Sequence, residues 1–525
     1  MHLRQAGLML ILCQAVTLAV GSDNSGQDRT SEPPGISILD AVRSTLELNP
    51  MLQYQQQQVV ISRAVKQQAS GDFDTVLQSS AGQTRTNNPL SDAERLLALQ
   101  SGIDTNNEVT NLTSVTGSAQ RLLRSGVVIG PRVEMTRTTD NVESPDGLSR
   151  TRLSFEVLVP LWRGKGRAVV TARETSAELG VEASLYDLNQ TIAELVLTTA
   201  VDYWQYVGAL RQLAIITESE ERGKEFVESV QALIKADRIP GNEINQVNAN
   251  FASRTAGRIL IEQQVVESRN ALALAMGLSA AQMMNLPMPS DSFPDGEQQV
   301  MPSISSESIR SHIEDALKHR ADILSAEKNI QAADVLLGSA KNSLLPQLDM
   351  TLSTGYAGLH EGRRPDQFLV SPFTHAHGAD LLLGLQYSFP RANNLALGRV
   401  AEAGASYEQS LLLRSEKAQT IANGIANTLT AVYNTNQRLK KASEAVNGYR
   451  AALEGEKDKL RLGAGSLTDL LTVEGRMTDA LLDLVDAQRS YAIALVQYRF
   501  ASGTLVAPDR TVQSMERELF FTPPK

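Results

Sequence analysis

The chain has 525 residues, of which 42% are hydrophobic, 21% charged and 5% aromatic, which is enough length for two domains or one large one. Its formal net charge is −10, and a mildly acidic balance argues against a nucleic-acid partner. After the first 21 residues no window offers about 18 uninterrupted apolar residues, which excludes helices that cross an inner membrane.

Residues 1–21 have the pattern of a secretory signal peptide. Arg4 precedes an apolar stretch, and the small residues Ala19 and Gly21 form a cleavage pattern, so we expect cleavage after Gly21. The apolar stretch is too short to span a bilayer as a helix, and Gln14 interrupts it, which disfavours a retained membrane anchor.

The only cysteine, Cys13, lies inside this leader. A lipoprotein processing site needs a small residue just before its cysteine, and this sequence has Leu12 there. We therefore expect the mature chain to be unlipidated and free of cysteine. An exported chain without disulfides must gain its stability from packing, assembly or a membrane.

An internal duplication follows a linker at 22–37. Residues 38–73 match residues 309–344 at a constant shift of 271 residues, and both stretches carry apolar or small residues at steps of three and four. This spacing is typical of amphipathic helices. The mature chain is therefore divided into a first structural repeat at 38–284 and a second at 308–503.

Strand patterns follow these helices in both repeats. Alternating sequence begins at Thr75 in the first repeat and at Pro346 in the second, where a period of two replaces 3.6. A second strand-like run closes at Pro160 in the first repeat and at Pro390 in the second. In the first repeat, an insert at about 88–148 separates the two strands.

A very long helix is predicted next in each repeat, because residues 168–236 and 400–461 contain no proline. A helix of 60–70 residues is roughly 90–105 Å long at 1.5 Å per residue. Each long helix ends at a turn and a returning helix follows; the two turns align at a shift of 226 residues, which pairs Glu243 with Asp469. The apolar stripe of the first long helix comprises Leu185, Leu188, Ile192, Leu195, Thr199, Tyr203, Val207, Leu210 and Ala214. That of the second returning helix comprises Leu470, Val473, Met477, Leu481, Leu484 and Tyr491.

Two segments outside the repeats lack such patterns. Residues 285–307 contain prolines and acids and are predicted to be a loop or linker. Residues 504–525 are predicted to be a C-terminal tail, whose final Pro-Pro-Lys has no expected structure.

The duplicated order of helix, strand, strand, long helix and returning helix resembles the TolC-type outer-membrane efflux protein family over about residues 38–503. The segments that carry the resemblance are Asn49-Pro50, Pro160-Leu-Trp162-Arg-Gly164, Phe389-Pro390 and Gly463-Ala-Gly465-Ser466-Leu-Thr-Asp469-Leu-Leu. The resemblance implies a mainly α fold with a β-barrel portion, in which each subunit of a homotrimer gives four strands to one transmembrane β-barrel above a periplasmic α-barrel. Elementary physics favours such sharing, because two strands per repeat cannot close a barrel and open sheet edges are not tolerated in lipid.

The insert at 88–148 departs from the family, whose connection is usually shorter. Residues 91–100 have a helical pattern and residues 127–137 a strand pattern. The insert is therefore expected either to form an extracellular cap or to lengthen the barrel with another hairpin.

The resemblance also suggests a gate, because acidic residues ring the closed periplasmic entrance in this family. Asp469 matches one such position and Glu243 is its counterpart in the first repeat, whereas Thr472 stands where a second acid can occur. A ring of carboxylates attracts cations, and its negative charges repel one another. The alternative for Asp469 is a capping box with Ser466, which would make it a helix-start residue only.

Further residues are assigned to the hairpin tips and the membrane interface. Docking of an adaptor is expected at the tips, at Arg238, Pro240, Gly241, Gly463, Gly465 and Ser466. Aromatic residues at the ends of predicted strands suit either a membrane-interface belt or core packing: Phe155, Trp162, Tyr387 and Phe389.

No catalytic set, metal site or cofactor site is predicted. His375 and His377 lie in an expected extracellular loop with few acids, and His312 and His319 are expected on helix surfaces. The segment Arg163-Gly-Lys-Gly-Arg167 lacks the ending of a nucleotide-binding loop and is interpreted as a hinge.

The resulting hypothesis is an outer-membrane channel of a Gram-negative-type cell, a passive exit duct for efflux or secretion. It would work with a periplasmic adaptor and an inner-membrane pump, with its helices in the periplasm and its barrel in outer-membrane lipid. The alternative is a periplasmic coiled-coil adaptor or tether without a pore. Adaptors typically hold one helical hairpin, whereas this chain has two sets, each with a strand pair.

Overall fold

The computed structural model describes residues 35–237, 240–296, 305–364, 376–462, 464–506 and 516–523, with the backbone only at residues 376 and 377. The predicted signal peptide and most of the linker at 22–37 lie outside the described residues.

The first repeat is helical at both ends, with strands between. Its helices are α1 (Ile38–Leu48), α2 (Pro50–Ser70), α3 (Asp92–Gln100), α4 (Arg167–Val170), α5 (Ala172–Lys235), α6 (Glu243–Ala275) and α7 (Ala280–Met283). Its strands are β1 (Thr75–Pro89), β2 (Asn107–Leu122), β3 (Val128–Thr139) and β4 (Leu148–Pro160).

The second repeat follows the same order with fewer strands. Its helices are α8 (Ser306–His319), α9 (Ala321–Asn342), α10 (Asn394–Arg461) and α11 (Leu467–Ala501), and its strands are β5 (Gln347–Glu361) and β6 (Ala376–Ser388). Single 3₁₀ turns occur at Gly71–Phe73 and Arg517–Phe520. The mainly helical fold class is confirmed.

Local chemistry explains where the short helices begin. Ser37 and Asp40 form a capping box at the start of α1, and the Asn49 side chain accepts a hydrogen bond from the amide of Met51 at the start of α2. Pro50 occupies the first position of α2, where its missing N–H costs nothing. Helices α2 and α9 begin 271 residues apart, which is the shift of the sequence match.

The long helices α5 and α10 contain 64 and 68 residues, or roughly 96 and 102 Å at 1.5 Å per residue. Helix α5 packs against α6, α10 packs against α11, and α5 also packs against α11, so the two hairpins lie side by side. The predicted stripes lie in these contacts: Tyr203 and Val207 are buried in one core cluster and Met477 and Tyr491 in two others.

All described strands form one antiparallel sheet in the order β1-β2-β3-β4-β5-β6. The resemblance implies four strands per chain, but the described sheet has six, because the insert supplies the hairpin β2–β3 rather than a separate cap. They pair with each other, with β1 on one side and with β4 on the other, so each of the two strands has a hydrogen-bonded neighbour on both sides. Helix α3 lies between β1 and β2, at the end of the sheet away from the long helices.

The sheet has one apolar face. The register places Ile129, Val157, Leu352 and Leu383 in a single row across β3 to β6. Because side chains alternate along a strand, the neighbouring positions face the other way. There the sheet is charged, and Arg152 of β4 forms an ion pair of 2.7 Å with Asp380 of β6.

The core of the helical part surrounds Trp204, which is fully buried. The ring centroid of Trp204 lies 5.7 Å from that of Phe293, in the inter-repeat segment, and 5.4 Å from that of Phe521. Residues 516–523 thus pack on the core, and Phe520 has no exposed surface. Part of the predicted tail is structured, since its aromatic residues fill this cluster.

Asp291 ties the inter-repeat segment to three other parts of the chain. Its carboxylate accepts hydrogen bonds from the amide of Ile38 at 2.8 Å, the hydroxyl of Tyr203 at 2.9 Å and the guanidinium of Arg517 at 2.6 Å. Burial raises the pKa of Tyr203 above its ordinary value, so its hydroxyl remains a donor to Asp291 at neutral pH.

Candidate functional site

The candidate site lies at the ends of the two helical hairpins that are remote from the sheet. In the first hairpin, α5 ends at Lys235 and Asp237 takes a left-handed backbone conformation with φ 52°. The carbonyl of Pro240 accepts a hydrogen bond of 3.2 Å from the amide of Glu243, where α6 begins. Gly241 is exposed beside it, and Arg238 lies outside the described residues.

The second turn is tighter. The amide of Ala464 donates to the carbonyl of Lys459 at 2.9 Å. A methyl group at Gly465 would come within 2.9 Å of the backbone nitrogen of Leu460, so only glycine fits without rearrangement. Gly463 lies outside the described residues.

Ser466 begins α11 as its cap. Its hydroxyl accepts a hydrogen bond of 3.2 Å from the amide of Thr468 and not from that of Asp469, so the capping box considered for this position does not form. Asp469 is exposed in the first turn, where the helix dipole favours a negative charge. The side chain of Asp469 therefore does not take part in a capping box.

The electrostatic surroundings of Asp469 include Lys459. A hydrogen bond from Lys459 to Glu456 chiefly raises the pKa of the lysine, and the charge of Asp469 adds to the effect. Glu243, the counterpart in the first repeat, is partly buried at the first position of α6. Both candidate gate acids therefore lie in the first turn of a returning helix.

A charged network that sequence reasoning missed joins the hairpins above these turns. The carboxylate of Glu474 in α11 accepts hydrogen bonds from Arg222 of α5 at 3.0 Å and from Arg254 of α6 at 2.8 Å. Arg254 also donates to the carbonyl of Ser219 at 2.8 Å, and the hydroxyls of Ser219 and Thr478 lie 3.1 Å apart. The network thus connects three helices from both hairpins.

The network is largely shielded from water. The side chains of Arg254 and Glu474 are 9% and 13% exposed, whereas that of Arg222 is 32% exposed and also reaches Glu218. Removing one partner of such a buried pair leaves an uncompensated charge. The shift of 226 places Asn248 opposite Glu474, so the duplication does not repeat this carboxylate.

A second ion pair lies one turn further along the first hairpin. A hydrogen bond from Thr255, together with one of 2.5 Å from Arg258, keeps the pKa of Glu220 below its usual range. The sequence contained one sign of these contacts, which was a charged residue inside an apolar stripe. Glu474 lies between the stripe residues Val473 and Met477.

A cavity of about 270 Å³ lies beside the network, between the four long and returning helices. Each helix contributes an apolar wall residue: Phe226, Val247, Leu453 and Leu470. Arg222, Arg254 and Glu474 line its polar side. The hairpins are therefore imperfectly packed at the place where the charges join them.

The predicted interface aromatics lie on the sheet or at its helical end, and all four are exposed. Trp162 and Tyr387 meet edge to face, with centroids 6.3 Å apart, just beyond the end of β4 and near the end of β6. Phe389 follows β6 directly. Phe155 is not at a strand end, because β4 extends from Leu148 to Pro160 and pairs with β5 over its whole length.

The two histidines of α8 form contacts within their own helix. His312 contacts the carbonyl of Ser308 at 2.6 Å and His319 that of Asp315 at 2.8 Å, both within α8. His375 lies outside the described residues, as does the side chain of His377. Within the described ranges, no group of three or more His, Cys, Asp or Glu residues is placed to hold a metal ion. None of the helices described is both long and apolar enough to cross a membrane.

Comparisons with known proteins find related outer-membrane efflux proteins. A family model described as "Outer membrane efflux protein" matches residues 312–504. The pyoverdine export outer membrane protein OpmQ of Pseudomonas aeruginosa is 27% identical over 391 residues, covering 73% of this chain and 72% of its own. The outer membrane protein TolC of Escherichia coli is 19% identical and covers 66% of this chain and 67% of its own. These findings support a TolC-like outer-membrane factor.

Solved structures agree with the fold of this TolC-like protein. The CmeC outer membrane channel of Campylobacter jejuni superposes with a TM-score of 0.64 at 16% identity, over 95% of this chain and 96% of its own. The outer membrane protein VceC of Vibrio cholerae gives a TM-score of 0.62 at 16% identity, over 89% and 96%. At such identities the likeness concerns the fold.

Proposed function

We propose that three copies of this chain form a passive exit duct that leads from the periplasm through the outer membrane. The duct carries cargo and catalyses no reaction. Its energy comes from an inner-membrane pump, which is coupled through a periplasmic adaptor. The match to outer-membrane efflux proteins supports the transport role, and the sheet joined to hairpins of roughly 100 Å supports the duct.

The single observation that carries this proposal is the sheet. One of its faces is apolar and the other is charged, which is the pattern of a wall between lipid and water. Strands β1 and β6 are the edges of the sheet in the described chain. An edge exposed to lipid leaves backbone groups unsatisfied, so copies joined edge to edge solve the problem that a single chain cannot.

The hairpin ends are the proposed contact for the adaptor. The turns that follow Lys235 and Arg461 lie at the ends of the long helices opposite to the ends that join the sheet. Pro240, Gly241, Gly465 and Ser466 give these turns fixed backbone shapes with small or short side chains, which suits docking of another helical hairpin.

The same ends are the proposed gate. With three copies around one axis, Asp469 and Glu243 form rings of carboxylates that attract cations. We expect Asp469→Asn to weaken block of the channel by a divalent cation such as Co²⁺, measured as the concentration that halves the current in planar bilayers. Asp458→Asn, which removes an exposed acid paired with Arg461 on α10, is the matched control. An unchanged block by Co²⁺ in Asp469→Asn contradicts a gate role.

The function itself is tested on the purified full-length protein. Light scattering in detergent is expected to give the mass of three chains, and the protein is expected to conduct ions when added to planar bilayers. A monomer that stays soluble without detergent and conducts nothing would support the alternative of a periplasmic adaptor or tether and overturn the duct.

A further inference from the structure

The hairpin β2–β3 is an integral part of the sheet. Strand β2 pairs with β1 from Thr75↔Arg121 to Pro89↔Asn107, and β3 pairs with β4 from Val128↔Leu158 to Thr138↔Leu148. No pairing joins β1 directly to β4 in the described sheet. The hairpin therefore separates the two strands that a chain without the insert would place side by side.

The hairpin also spans the full height of the sheet. Its turn at 123–127 lies at the helical end, where the amide of Gly166 donates to the carbonyl of Ser125 at 3.2 Å. Arg124 forms an ion pair of 2.7 Å with Glu174 of α5 and lies 4.7 Å from the centre of the Phe73 ring. The turn is thus attached both to the end of α2 and to the start of the first long helix.

A close backbone approach completes this attachment. Gly126 has φ 97°, and a methyl group there would lie 2.4 Å from the carbonyl oxygen of Gly164. Only glycine adopts this conformation at this distance without strain. The junction between β4 and α5 is shaped to receive the hairpin turn.

The faces of the hairpin continue those of the other strands. In β3, Ile129, Val133 and Met135 share the apolar face, and Arg132 and Glu134 share the charged face. In β2, the positions on the apolar face from Thr113 to Ala119 carry no charge, and on the opposite face Thr116 hydrogen-bonds to Ser80 of β1 at 2.6 Å. Both strands therefore suit a wall between lipid and water.

We propose that the barrel of this protein has eighteen strands, six from each of three copies, and passes wider cargo than a barrel with four strands per chain. The inference rests on the trimeric duct proposed above. Because β1 leads away from α2 and β6 leads back to α10, the free edges of neighbouring copies meet antiparallel. Their lengths of 15 and 13 residues allow pairing over nearly the whole of both strands. Barrel diameter grows roughly linearly with strand number, so eighteen strands make the barrel about 1.5 times as wide as twelve.

The decisive experiment is electron cryomicroscopy of the full chain in lipid nanodiscs, with strands counted in the barrel. A shortened variant lacks residues 89–145, so that Asn88 joins Asp146. Asp146 and Gly147 then serve as a two-residue hairpin turn that pairs Asn88 with Leu148 and keeps the two faces of the sheet. The matched control lacks only residues 92–100 of α3 and keeps all six strands.

We expect eighteen strands in the natural chain and in the variant that lacks residues 92–100. In the shortened variant we expect a barrel about two thirds as wide. Twelve strands in a conducting trimer of the natural chain would overturn the wider barrel and leave the duct intact. A chain that neither trimerises nor conducts would overturn both. Should the shortened variant fail to fold, the count in the natural chain decides alone.

Discussion

Glu474 is the carboxylate that Arg222 and Arg254 share, and it links the two hairpins a short distance above their ends. We expect Glu474→Gln to weaken this link by on the order of 3 kcal/mol, because two guanidinium groups then face a neutral amide in a poorly hydrated place. If the link holds the hairpin ends together, the closed channel of the variant conducts more current than that of the natural protein in planar bilayers.

Glu218→Gln provides the matched control for this experiment. Glu218 is also paired with Arg222, but its side chain is 73% exposed, and exposed pairs contribute about 0–1 kcal/mol. Equal closed-state currents in the two variants would show that the network does not hold the ends together.

Glu174 gives the attachment of the hairpin turn a dependence on pH. Hydrogen bonds from Arg124 hold the pKa of Glu174 below its ordinary value of 4.5. A carboxyl group with a lowered pKa stabilises the folded state fully above its unfolded pKa and loses this contribution as the pH falls through the folded value. The attachment is therefore expected to be complete at pH 7 and to weaken below about pH 4.5.

Hydrogen exchange checks this expectation. Protection factors of the amides at 123–127, which correct for the intrinsic effect of pH, should fall below pH 4.5 in the natural protein and be low at both pH values in Glu174→Gln. The neighbouring Glu178→Gln, which removes a pair with Lys66 at 2.8 Å, should behave like the natural protein. Protection at 123–127 that is unaffected by Glu174→Gln would contradict the assigned attachment.

At the scale of elements, local periodicity was sufficient to predict most of the helices and strands. The long helices followed from unbroken 3.6-residue patterns, and β1 and β5 followed from alternation after a helix. The place of β2 and β3 in the sheet was not predictable, because pairing of Arg121 with Thr75 depends on contacts distant in sequence. Alternation alone cannot distinguish a hairpin in the wall from a cap outside it.

The C-terminal segment shows a second limit of local patterns. Residues 516–523 carry no helical or strand period, yet Phe520 and Phe521 pack on the core around Trp204. Likewise, Glu474, Arg222 and Arg254 are far apart along the chain, so only the tertiary structure brings them together. Single long-range contacts of this kind leave no repeated signal in a sequence.

Phe520 makes the role of this segment measurable. We expect Phe520→Ala to lower the free energy of unfolding by about 3–5 kcal/mol, because it removes a fully buried ring from the core. Unfolding in detergent, followed by circular dichroism, measures the change. Glu516→Ala, an exposed position in the same segment, is the control. Equal stabilities of the two variants would mean that the segment does not support the core.

At the scale of the whole molecule, the two faces of the sheet decide which way it meets the membrane. Leu383 and Leu382 are adjacent in β6, with 69% and 57% of their surfaces exposed in the isolated chain, and they point to opposite faces. Leu383→Arg places a charge on the apolar face, at a cost of about 2–4 kcal/mol near the middle of a bilayer. Leu382→Arg adds a charge to the face that already carries Arg152 and Asp380.

We therefore expect Leu383→Arg to reduce the amount of folded protein recovered in the outer-membrane fraction, and Leu382→Arg to leave it near that of the natural protein. Quantitative blotting of membrane fractions provides the measurement. A larger loss for Leu382→Arg would mean that the assignment of the two faces is inverted.

The way in which β2 and β3 are inserted means that the sheet can change without a change at the remote ends of the helical hairpins. An added β-hairpin enters and leaves the sheet on the same side, so β4 still runs into α5 as it would without β2 and β3. Such insertions can change the width of the sheet in steps of two strands while the sequences near 236–243 and 462–469 stay the same. In the duct proposed above, exit width and adaptor contact are therefore free to change independently of each other.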